Sequence, residues 1–125
     1  DVNYNLGYAY FKNKNYEQAQ VYFDTYSSFA QEKALQHDAF VRLGDAHFAS
    51  GSYWPAMEAY NKALAMQNFS NDYAFFQKAI SYGFVDRNER KIEELNNFLN
   101  QFNSSPYSDN ALYELGNTYI AENNR

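Results

Sequence analysis

The sequence predicts an all-α fold, an α-solenoid of antiparallel helix hairpins, and three observations carry that prediction. A small residue recurs at positions 7, 44, 79 and 116, at separations of 37, 35 and 37 residues, and self-similarity of that period marks a repeat architecture. The bulky residues around each small one lie three and four positions away, which places them on one face of a helix. Aromatic residues abound (thirteen Tyr, eleven Phe) and lean toward strands, yet five Gly and two Pro in 125 residues leave few turns. Without alternating apolar runs or frequent turns, a sheet is excluded.

The first unit reads Asn3-x-x-Leu6-Gly7-x-x-Tyr10, then Ala19-x-x-x-Phe23. The second reads Phe40-x-x-Leu43-Gly44-x-x-His47, then Ala56-x-x-x-Tyr60. A degraded third copy reads Phe75-x-x-Lys78-Ala79-x-x-Tyr82, then Lys91-x-x-x-Leu95, and a fourth begins Leu112-x-x-Leu115-Gly116-x-x-Tyr119. A mid-helix Gly costs about 1 kcal/mol relative to Ala, so Gly7, Gly44 and Gly116 are expected where two helices cross too closely for a side chain. Asn15-x-x-Gln18 and Asp86-x-x-Glu89 have the form of capping boxes. Ser52 stands ready to cap the second helix of its unit, with Pro55 in the first turn, where its missing N–H is harmless.

Connectors within pairs are expected at 12–15, 50–52 and 85–87, and between pairs at 28–33, 68–71 and 103–108. The organisation is one array over residues 1–125, with units of about 1–35, 36–70, 71–108 and a partial 109–125: three hairpins and one trailing helix. The opening Asp1-Val-Asn-Tyr-Asn5 lacks the basic start and apolar middle of a signal peptide and reads as the inside of a helix, as in a fragment of a longer protein.

These residues resemble the tetratricopeptide repeat family, and the resemblance covers essentially the whole chain. It implies a right-handed array that binds proteins or peptides. Segment 103–116, with the period above 34, is similar to the inter-repeat joins of tetratricopeptide proteins of the Gram-negative cell envelope, which implies a periplasmic or outer-membrane-associated setting. Lys78, Lys91 and His47 depart from the family pattern, and a looser or differently turned third hairpin is expected from them. In the family the first helix of each pair lines a groove. The resemblance carries that role to Tyr4, Tyr8, Lys12, Val41, Asp45, Phe48, Phe76, Ile80, Tyr113 and Asn117. Cochaperone members grip a terminal carboxylate with Lys and Asn on successive first helices; Tyr4 and Tyr8 stand in the corresponding places, so that clamp is not expected.

Ten Lys and Arg against fifteen Asp and Glu give a formal charge of −5. No basic stripe is present to displace phosphate counterions, so no nucleic-acid partner is expected. The cluster Arg87-Asn-Glu-Arg90-Lys91 is short, carries its own acid and reads as a solvated helix start. Absence of cysteine removes disulfides and thiolate metal sites. The two histidines, His37 and His47, are ten residues apart and do not share a helical face, so no metal is expected. No nucleophile, phosphate-loop or metalloprotease signature occurs, and neither catalysis nor a cofactor is expected. No apolar run is long enough for a membrane span. Two functions remain: an interaction scaffold that binds a protein or peptide, or a structural segment that packs on other repeats. Leu112, Leu115, Tyr119 and Ile120 exceed what one neighbouring helix covers, which predicts self-association through residues 109–125.

Overall fold

Turn geometry repeats as regularly as sequence does. The protein is described by a computed structural model over residues 1–124, which holds seven α-helices and, among the described residues, no strand. These are α1 (Val2–Lys12), α2 (Tyr16–Phe29), α3 (Lys33–Ala49), α4 (Tyr53–Leu64), α5 (Asp72–Phe84), α6 (Asn88–Gln101) and α7 (Ser108–Asn123). Within each of the three hairpins the turn places one residue in the left-handed region, seven positions after the small residue: Lys14 (φ 62°), Gly51 (φ 77°) and Asp86 (φ 61°). The next N–H then reaches back to a carbonyl five residues earlier. Asn15 N–H bonds Tyr10 O, Ser52 N–H bonds His47 O and Arg87 N–H bonds Tyr82 O, each at 2.9 Å. These are Schellman closures, which satisfy carbonyls that a helix end leaves orphaned.

That closure corrects the capping reading. Asn15 and Ser52 are N-caps, but neither side chain makes a capping hydrogen bond, and the N-cap of α6 is Arg87, not Asp86. In a capping box the third helical residue would accept from the N-cap N–H; here a carbonyl of the preceding helix has already taken that N–H. The third hairpin also closes with the same turn as the other two, not a different one. At the chain start, Asp1 is outside α1 and caps it, its Oδ1 accepting from Asn3 N–H at 2.7 Å.

The residues fall into two compact units, Asp1–Phe69 and the stretch beginning at Ser70. In the first, α1 to α4 pack in sequence order around Ala19, Phe23, Tyr26, Ala39, Leu43, Ala46 and Ala59. Gly7 and Gly44 lie at the crossings. A Cβ on Gly7 would stand 2.7 Å from Phe23 Cε1, and one on Gly44 would stand 2.5 Å from Tyr60 Cε1. Both rings are fully buried, sixteen residues after their glycine. Between hairpins, Gln36 Nε2 donates to Ser27 O at 2.9 Å and Gln20 Nε2 to Ala46 O at 3.2 Å. Helix α4 ends at Leu64, short of the connector expected at 68–71, and the following stretch leaves through Asn68 at φ 70°.

In the second unit α6 packs against both α5 and α7, around Phe76, Ala79, Leu95, Phe98 and Ala111. Ala79 and Leu95 keep the sixteen-residue offset and both are fully buried. Where the first two units set a large residue before a small one (Phe11 with Ala19, Phe48 with Ala56), the third sets Gly83 with Lys91. The Lys91 stem lies over Gly83, and its Nζ meets Glu114 Oε1 at 3.0 Å. Exchange of large for small across the pair therefore accommodates the departure at Lys91. At Gly116 a Cβ would meet nothing within 4 Å, and the position sixteen residues on from it lies outside residues 1–125.

Candidate functional site

Tyr4 and Tyr8 lie one turn apart on α1, so both phenols reach the same residue of α3. Tyr4 Oη donates to Asp38 Oδ2 at 2.7 Å, and Tyr8 Oη donates to the same oxygen. Arg42, one turn further along α3, brings Nε to 3.7 Å from Asp38 Oδ1 and Nη1 to 2.6 Å from Asp45 Oδ2. The other Asp45 oxygen, Oδ1, accepts from Tyr60 Oη at 2.6 Å. Six side chains from α1, α3 and α4 thus form one line of hydrogen bonds and ion pairs. Below it the Tyr4 ring centroid is 5.1 Å from those of Tyr8 and Tyr26, and Tyr8 stands edge-on to Phe23 at 5.1 Å.

Burial, and then the hydrogen bond to Asp38, push the Tyr4 phenol up to about 12. The same causes push Tyr8 up further. A carboxylate that accepts from both hydroxyls favours their protonated form. The pair therefore stays neutral and serves as fixed donors, with no role for a phenolate.

The remaining expected groove residues divide by burial. Lys12 is exposed; Phe48 is half-buried with its ring 5.2 Å from Tyr53; Val41 and Asp45 are buried. In the second unit Phe76 is buried and stacked on Tyr107 at 5.8 Å, and Ile80 is half-buried against the core. Tyr113 and Asn117 are exposed on α7. Val41, Asp45 and Phe76 are thus core and network residues with little surface to offer a partner. Sequence reasoning missed Asp38, Arg42 and Tyr60. The signal for Asp38 and Arg42 was the Asp38-x-x-x-Arg42-x-x-Asp45 spacing, which sets three charges on one helix face.

His37 is buried and stacks on Phe69 at 4.8 Å, while His47 Nδ1 is buried with no hydrogen-bond partner among the described residues. Burial lowers the His47 pKa from 6.5, outweighing the Asp24 and Glu58 carboxylates, which act to raise it. Among the described residues no three potential metal ligands cluster, and no described helix is long and apolar enough to cross a membrane.

Hairpins closed by identical turns and crossed at a small residue define a helical-repeat protein. The tetratricopeptide repeat model matches residues 1–35 and 37–70, more than half of the chain, and the chain belongs to that family. No curated protein matches it. Tetratricopeptide repeats generally mediate protein–protein interactions and are typically non-catalytic scaffolds.

Proposed function

We propose that this chain is an interaction module that holds an extended or helical segment of a partner protein on the first-helix face of residues 1–69. The observation that carries the reading is the Tyr4–Tyr8–Asp38–Arg42–Asp45 line. Its members are tied to one another by contacts within the chain, and a surface ordered in advance loses less entropy on binding. Tyr4, Tyr8 and Phe48 offer aromatic area at low entropic cost, and Lys12 offers a cation at the edge. The likeness of residues 103–116 to envelope-protein joins makes Gram-negative envelope extract the first place to look for the partner.

The test is affinity capture from such an extract with the chain, a Tyr4→Ala/Tyr8→Ala/Phe48→Ala variant and a Lys12→Glu variant. Lys12 is exposed, so its replacement leaves the fold unchanged and separates lost binding from lost folding. We expect one set of proteins to be captured by the parent chain and depleted with both variants. Equal capture by all three would remove the face from consideration.

A further inference from the structure

Resting on the reading of the first-helix face of residues 1–69 as the docking face, we propose that the partner segment seats a lysine ammonium against Tyr4, Tyr8 and Asp38. A phenol has one hydrogen to donate and two lone pairs with which to accept. Tyr4 and Tyr8 both commit that hydrogen to Asp38 Oδ2, so lone pairs are what their hydroxyls present to a partner. Asp38 Oδ1 adds a third acceptor. Arg42 Nε stands 3.7 Å from it, too far for a hydrogen bond, and Oδ1 accepts none among the described residues. The Asp38 side chain is 33 % exposed and both tyrosines are half-buried, so the junction keeps contact with solvent. Its walls are α1 and α3, and its floor is Phe23 and Tyr26 of α2.

Acceptors gathered without a donor call for a donor, and charge and shape decide which one. Two carboxylates, Asp38 and Asp45, stand against the single Arg42 guanidinium, so the line is net negative and complements a cation. Arginine recognises a carboxylate through two parallel bonds, one to each oxygen. Oδ2 already accepts from two phenols, so that fork finds one oxygen filled. A lysine ammonium is compact and carries three donors, one for each acceptor. Lys12 is exposed one turn beyond Tyr8 and repels a cation at that end of α1. The lysine is therefore seated toward Tyr4.

The probe is a phage-displayed library of random linear peptides selected against the unaltered chain, with synthetic copies of the selected peptides measured by calorimetry. We expect peptides that share a lysine and that lose binding to the Tyr4→Ala/Tyr8→Ala/Phe48→Ala variant. Acetylation of that lysine should weaken binding to the unaltered chain by about tenfold or more, since it removes a charged donor. Exchange of the lysine for arginine should weaken binding as well. Asp38→Asn, checked for unchanged helix content, should bind the lysine and acetyl-lysine peptides nearly alike. Tyr4→Phe removes one acceptor and should weaken the lysine peptide more than its acetylated form, which keeps the test open should Asp38→Asn not fold. Peptides that bind at this face without a shared lysine, or that tolerate its acetylation, would overturn the lysine assignment and leave the docking face standing. An undiminished preference for lysine in both Asp38→Asn and Tyr4→Phe would overturn it too, by placing the cation elsewhere. Selection of no peptide, or of peptides that bind every variant equally, would remove the face and the lysine together.

Discussion

Lys91 fills the space that Gly83 leaves: a Cβ at position 83 would stand 2.9 Å from Lys91 Cδ. The pair reverses the order seen at Phe11 with Ala19 and Phe48 with Ala56, and the two substitutions are intelligible only together. Restoring the usual order should therefore show strong coupling. Lys91→Ala alone should lose the stem packing and the Glu114 contact, and Gly83→Phe alone should clash with Lys91. The double variant should be more stable than the sum of the single changes by about 0.5–3 kcal/mol in a double-mutant cycle of chemical denaturation. Additive effects would show that the residues do not share the space.

Gly44 and Gly116 occupy the same repeat position and should respond oppositely to a methyl group. Gly44→Ala drives a Cβ to 2.5 Å from Tyr60 Cε1, and Tyr60 is fully buried with its hydroxyl tied to Asp45. Overpacking of this kind costs about 1–3 kcal/mol. Gly116→Ala meets nothing within 4 Å and should gain up to about 1 kcal/mol from helix propensity in dilute solution. Urea denaturation of the two variants compares them.

Alkaline titration should separate two tyrosines from the rest. Tyr4 is raised to about 12 and Tyr8 further, from an ordinary 10.0. A raised folded-state pKa contributes stability that is fully present below the unfolded value and is lost as pH rises through the folded one. Stability should thus decline as pH rises from 10 through about 12. Asp38→Ala should move the late ultraviolet phenolate transition to lower pH, though not to the ordinary value, because burial is the larger cause.

Mild acid acts through His47, with the opposite sign. Its folded pKa lies below 6.5, so the unfolded chain takes up the proton first. The stability from keeping the imidazole neutral is present above 6.5 and is lost as pH falls through the depressed folded value. The denaturation midpoint should fall as pH drops below 6.5, and His47→Gln should flatten that slope. An unchanged slope would assign the acid sensitivity to other groups.

Most of the fold could be read from the residues because hairpin, turn and crossing are set by local spacing. The within-pair turns lie where the repeat places them, and Gly7 and Gly44 meet their rings at a fixed offset. What failed was decided by groups that the repeat spacing does not specify. The capping boxes failed because a backbone carbonyl of the previous helix had already engaged the N–H they needed. Nothing in Ala65-Met66 announces that α4 has stopped; only the left-handed Asn68 marks the exit. At the candidate site, Tyr4 and Tyr8 could be picked out as first-helix positions. Their tie to Asp38, thirty or more residues away, depends on how α1 and α3 come together.

The sixteen-residue offset between each small residue and the side chain packed on it also bears on kinetics. Each of these three crossings closes a loop of the same short length. Closure entropy grows only with the logarithm of loop length, and chains whose contacts are local in sequence fold fast for their size. Asp38 is the longer tether: its bonds to Tyr4 and Tyr8 span 34 and 30 residues, about twice the hairpin offset. Each hairpin can therefore zip before the line along α1 and α3 is drawn. That line should be the last feature of residues 1–69 to form and the first to yield.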